Sequence, residues 1–151
     1  MSRQMGRLKR VLLLFVSLVT VMQLHAFDLQ GRKQYNVVIE TAKANVSGIC
    51  IIKTDEDGSK GAIVNEFGIH ALDFTVSADR RKVRLLHVVD FLNKWYIKRV
   101  LRKDLQFLFS RAGQYSDRRR ELHTDGNTTV MHNKRYKITY TFTEIKDETD
   151  Q

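Results

Sequence analysis

At 151 residues and 17.6 kDa the chain is long enough for one folded domain and short for two of ordinary size. Hydrophobic residues at 42% and charged residues at 28% exclude wholesale disorder, and the absence of proline, where roughly seven or eight would be average, excludes polyproline segments and proline-stiffened linkers. A net charge of +9, taken alone, points to nucleic acid or an anionic membrane.

The first 26 residues change that arithmetic. Arg3, Arg7, Lys9 and Arg10 precede an apolar stretch from Val11 to Val21, and small Ala26 stands where a signal peptidase would cut. A basic start, a largely apolar core of about eleven residues and a small residue at the end predict a secretory signal peptide over 1–26. The core is short for a transmembrane helix, which needs about 20 residues. Residues 27–151 then hold 22 basic and 17 acidic side chains, a net +5, and the case for nucleic acid loses most of its support. The expected location is periplasmic or secreted. Cys50 is the only cysteine, so no disulfide forms within the chain, and none lies at the cleavage junction to take a lipid anchor. Its surroundings, Ile49-Cys50-Ile51-Ile52, predict a small buried hydrophobe.

Strand signals fill the next sixty residues. Tyr35, Val37 and Ile39 alternate with polar neighbours as an opening strand. Ser47 to Thr54 runs into the turn Asp55-Glu56-Asp57-Gly58, and Lys60 to Phe67 returns as a hairpin. Gly68 marks a turn or a bulge before a strand in which Leu72, Phe74 and Val76 share one face. After the turn Ala78-Asp79-Arg80-Arg81, Val83 to Val89 is apolar enough to read as a largely buried strand. Short turns between consecutive strands imply an antiparallel meander.

From Asn93 the period changes. Tyr96, Ile97, Val100 and Leu101 fall on one arc of a helix, with Lys94, Lys98, Arg99, Arg102 and Lys103 on the opposite arc. Continuing that helix would put Asp104 in the middle of the apolar face, so the helix is expected to stop near Lys103. Asp104 then caps a second short helix that buries Leu105, Leu108 and Phe109 and ends at Gly113. The last third returns to strand: a polar run from Tyr115 to His123, the hairpin signal Thr124-Asp125-Gly126-Asn127, and Thr128 to Asn133. Tyr136, Ile138, Tyr140 and Phe142 then alternate with Lys137, Thr139, Thr141 and Thr143, the cleanest period-two run in the chain. The predicted fold is α+β, one domain over 27–151 made of a curved antiparallel sheet covered by one or two helices.

No catalytic constellation stands out. His70, His87, His123 and His132 lack the spacing of a zinc site, and no phosphate loop or nucleophile elbow is present. His70 and His87 lie on adjacent expected strands, and Glu66 and Asp73 form a conceivable carboxylate pair, but solvated strand-face charges are the simpler account. The protein is therefore expected to be no enzyme and to use no cofactor and no metal.

The element order resembles that of bacterial envelope proteins with the lipoprotein-carrier fold. Ser47-Gly48-Ile49-Cys50-Ile51-Ile52-Lys53, a hairpin, Asn65-Glu66-Phe67-Gly68, Leu72-Asp73-Phe74, a further strand and a basic helix carry the likeness, over roughly residues 35–110. The resemblance implies an unclosed barrel over helices, whose apolar concavity accepts acyl chains. The carrier reading makes the protein an exported, non-catalytic binder of a lipid or acylated protein. Phe67, Leu72, Phe74, Leu85, Tyr140 and Phe142 are the candidate lining of the concavity. Lys94, Lys98, Arg99 and Arg102 are the candidate residues facing an anionic membrane. A concavity packed solid by the helices would instead make a structural or protein-interaction module of the envelope. The expected state is a monomer with no nucleic-acid partner.

Overall fold

In the computed structural model, residues 31–42, 45–111 and 114–146 are described. The expected signal segment 1–26 and the helix stop at Gly113 lie outside them. Nine strands follow the sequence: β1 (Arg32–Glu40), β2 (Asn45–Asp55), β3 (Gly58–Asn65), β4 (His70–Ser77), β5 (Val83–Val88), β6 (Tyr115–Ser116), β7 (Arg120–Asp125), β8 (Thr128–Asn133) and β9 (Ile138–Ile145). They form one antiparallel sheet in the order β5-β4-β3-β2-β1-β9-β8-β7-β6. The sheet is therefore two meanders, β1 to β5 and β6 to β9, joined where β1 pairs with β9 from Gln34↔Ile145 to Glu40↔Thr139. The first strand becomes the middle of the sheet, and β5 and β6 are left as its two edges.

The one α-helix among the described residues, α1 (Trp95–Ser110), connects those two edge strands, preceded by a 3-10 turn at Asp90–Leu92. The alternation read from the sequence places one set of side chains on the concave face. Tyr35 and Val37 of β1, Cys50 and Ile52 of β2, Leu72, Phe74 and Val76 of β4, Met131 of β8, and Tyr140 and Phe142 of β9 are buried there. Leu101, Leu105, Phe107, Leu108 and Phe109 of α1 join the same core. Phe109 stacks on Phe74 with ring centroids 5.4 Å apart, and Tyr35 meets Phe142 edge-on at 6.2 Å. Gly61 of β3 pairs with Phe74 and leaves the space that the Phe74 ring occupies; a Cβ at Gly61 would clash with that ring.

Three expectations change. The helix does not end at Lys103: α1 continues through Asp104 to Ser110, so the expected second short helix is a continuation of the first. The charged residue is accommodated because strands opposite supply its hydrogen-bond partners. Strand β5 is only half buried, because a bulge between Asp73 and Phe74 shifts its register and leaves Leu86 and His87 outside. Tyr136, the first residue of the expected last strand, sits in the β8–β9 turn and is exposed, so the alternation begins at Ile138. Gly68 resolves as a turn residue with φ of 77°, while the irregularity falls earlier, within β3, between Ile63 and Val64.

Candidate functional site

The two halves of α1 meet the sheet differently. From Asp104 to Phe109 five of the six residues are buried, and this half fills the concavity. From Trp95 to Lys103 only Leu101 is buried. Here Ile97, Val100 and Leu101 face Ile39, Ile63, Ala71, Leu72 and Ile138 across a cavity of about 850 Å³. Small-molecule sites are typically about 300–1,000 Å³, concave and mostly apolar. The concavity is thus neither solid nor an empty slot. One end is packed and the other is open, with Phe91, Trp95, Tyr96 and Tyr136 around the opening. Trp95 is 73% exposed, far above what a core residue would show, and its ring meets that of Tyr96 edge-on at 5.9 Å.

At the inner end of the cavity stands a polar cluster. Asp104, with 0% of its surface exposed, sits between the filled half of α1 and the open half. Its Oδ1 accepts from Arg120 Nε at 2.7 Å and from Asn133 Nδ2 at 2.9 Å, and its Oδ2 accepts from the Tyr140 hydroxyl at 2.9 Å. Asn133 in turn accepts the backbone N–H groups of Arg135 and Tyr136, both at 3.2 Å, which shapes the β8–β9 turn. Burial, the adjacent Asp104 charge and the hydrogen bond to it hold the Tyr140 pKa well above its ordinary value, so the hydroxyl remains a donor. Among the described residues no buried side-chain N or O lacks a hydrogen-bond partner. The cluster is a satisfied ion pair, and its charges are engaged with one another.

The sequence-derived lining residues divide. Leu72 and Tyr140 do line the cavity. Phe74 and Phe142 are fully buried in the packed half, and Leu85 lies partly buried against the same core. Phe67 is 78% exposed in the β3–β4 turn, outside the concavity, because the strand it was expected to close ends at Asn65. Most of the lining comes instead from the N-terminal half of α1 and from the strand ends around Ile39, Val46, Ala71 and Ile138. The sequence signal for this was the apolar arc Ile97, Val100 and Leu101, which amphipathicity assigns to a core without saying whether atoms stand opposite it.

The basic residues are where the helical arc predicted. Lys98, Arg99, Arg102 and Lys103 line a groove between α1 and β5, faced by Arg81, Lys82 and Arg84. Lys94 occupies the N-cap position of α1 and is exposed. Among the described residues no ion pair engages any of these cations. His70, Asp73 and His87 meet on the outer side of the sheet: His70 Nδ1 is 3.2 Å from Asp73 Oδ1, and Asp73 is the register partner of His87. None of the three lines the cavity, nor does Glu66. Among the described residues no group of three or more His, Cys, Asp or Glu side chains is placed to hold a metal ion, and no helix is long and apolar enough to cross a membrane. No protein-family model matches the chain, and no curated protein matches it.

Proposed function

We propose that this protein is an exported, non-catalytic binder of a lipid or acylated ligand, held in the cavity between α1 and the concave face of the sheet. The observation that carries the reading is the unfilled half of the concavity. An amphipathic helix lies over a curved sheet, and its N-terminal apolar arc, packed along one side against the core, also lines about 850 Å³ of open space. An apolar void of that size forfeits the dispersion contacts that a packed core would make. An acyl chain restores them, and the exposed aromatics Phe91, Trp95 and Tyr96 at the opening give it an apolar way in. The helix–β5 groove adds a way of holding the protein near its lipid source. Its cations face no carboxylate within the groove, so it suits an anionic membrane surface.

Mass spectrometry of an organic extract of the purified protein, together with uptake of the neutral apolar dye N-phenyl-1-naphthylamine, tests the reading. A co-purifying lipid, or dye fluorescence displaced by long-chain lipids, is the expected result. Absence of both would return the protein to the alternative of a structural or protein-interaction module.

A further inference from the structure

Four basic side chains stand in the wall of the cavity where it meets solvent. Arg99 and Lys103 lie one turn apart on α1, Arg119 directly precedes β7, and Arg135 follows β8. All four are exposed. Among the described residues no Asp or Glu lines the cavity, and none of the four cations takes part in an ion pair. The fifth cation of the wall, Arg120, is different, since Asp104 already neutralises it at 2.7 Å. Arg135 lies over the ring of its own neighbour Tyr136, 5.4 Å from the centroid, at the same opening.

We infer that the cavity takes an anionic amphiphile, with its acyl chain against Ile39, Ile97, Leu101 and Ile138 and a carboxylate or phosphate headgroup among Arg99, Lys103, Arg119 and Arg135. The inference rests on the reading of the cavity as a lipid site and adds the chemical class of the ligand. Like charges gathered around one opening repel one another, and low-dielectric walls focus their field outward. An anion at the opening relieves that repulsion. Three of the four are arginines, whose planar guanidinium matches the oxygen pairs of carboxylates and phosphates. A neutral acyl group gains nothing from this arrangement. A cationic amphiphile is repelled by it.

The test is displacement of N-phenyl-1-naphthylamine from the purified protein at low salt. The competitors share a sixteen-carbon chain: palmitate, palmitoyl lysophosphatidic acid, hexadecanol and methyl palmitate. The two anions should compete about tenfold more strongly than the two neutral compounds, the sum of several exposed charge pairs. That preference should shrink as salt is raised. The double variant Arg119→Gln/Arg135→Gln, which removes two of the four cations, should weaken the anions about threefold and leave hexadecanol unchanged. Its melting temperature, read by circular dichroism, should match the parent, because both side chains are exposed. Whichever anion is stronger identifies the headgroup as carboxylate or phosphate.

Equal competition by all four compounds would overturn the headgroup inference while leaving the lipid cavity in place. Uptake of neither dye nor lipid would overturn both, and would return the protein to the alternative of a structural or protein-interaction module.

Discussion

Replacing Asp104 with alanine should destabilise the fold by about 3–5 kcal/mol, the range for breaking a buried ion pair by removing one partner. The structure allows the figure to be built from its parts. The Tyr140 hydroxyl and the Asn133 amide are buried, and each loses its carboxylate acceptor at 2.9 Å. A buried donor left unsatisfied costs about 1–3 kcal/mol. Arg120 also loses its counterion, but its side chain is 15% exposed and recovers part of its hydration. Alanine is the better helix former by up to about 0.7 kcal/mol, which offsets a little of the loss. With a urea slope near 2 kcal/mol/M, the midpoint should fall by about 2 M. Far-UV circular dichroism is the right probe, because the only tryptophan, Trp95, is exposed and senses unfolding poorly. A second arm, the cycle of Asp104→Ala with Tyr140→Phe, should show the two losses to be strongly non-additive, since both remove the same hydrogen bond. A midpoint shift below 0.5 M with an unchanged slope, roughly 1 kcal/mol, would refute the argument and mean that water already reaches the carboxylate.

Five further outcomes follow from other parts of the molecule. Burial pushes the Cys50 thiol up to about 12 from an ordinary 9.0, so Ellman's reagent at pH 8 should label it only in denaturant. The sign for stability is that of an acid kept neutral by folding. The contribution is complete below about pH 9 and is lost as pH rises through about 12, so the urea midpoint should fall above pH 9; Tyr140 acts in the same direction. Gly61→Ala should cost about 1–3 kcal/mol in thermal or urea melts, because the new Cβ meets the Phe74 ring and that ring is pinned against Phe109. Val100→Trp, which fills the open half of the concavity, should abolish dye uptake while leaving the melt within about 1 kcal/mol of the parent; undiminished uptake would place the ligand elsewhere. Sedimentation with phosphatidylglycerol vesicles at low salt should fall about a hundredfold in affinity for Lys98→Gln/Arg99→Gln/Arg102→Gln, at about 1 kcal/mol per cation near an anionic surface, and equal sedimentation with neutral vesicles would exclude an electrostatic contact.

What could be read from the sequence follows from how local each rule is. The period-two run from Ile138 to Phe142, the two-residue turns after Asp55 and Asp125, and the positive φ of Gly126 are properties of neighbouring residues, and all of them appear in the fold. The pairing of β1 with β9 joins residues about a hundred positions apart, and no local pattern announces it. Asp104 is the clearest case. A carboxylate on an apolar helical face is costly unless it is paired, which argued for a helix break. Its partners lie 16, 29 and 36 residues downstream, on three different strands, and no local pattern ties Arg120, Asn133 or Tyr140 to α1. The cavity was half legible for a related reason. Alternation tells which face of a strand is inward but not whether the helix opposite reaches it, so Phe74 and Phe142 look the same in sequence as Leu72 and Tyr140. The surface cations were fully legible, because a basic helical arc needs no distant partner.

Asp104 also accounts for how an apolar cavity persists beside an apolar helix. Burial alone favours collapse: sliding α1 along the sheet, or tilting it inward, would narrow the space that Ile97 and Val100 line opposite Ile39 and Ile138. A slide of one helical turn, about 5.4 Å, would carry Asp104 out of reach of Arg120, Asn133 and Tyr140, whose bonds of 2.7–2.9 Å tolerate only a few tenths of an ångström. The hydrogen bonds are directional where the hydrophobic effect is not. They hold the helix at a fixed height, with the residues after Asp104 filling the core and, of those from Trp95 to Lys103, only Leu101 buried. The polar cluster therefore sets the length of the cavity. Moving the carboxylate along α1, as in the swap Asp104→Leu/Lys103→Asp, would be expected to cost stability and dye uptake together.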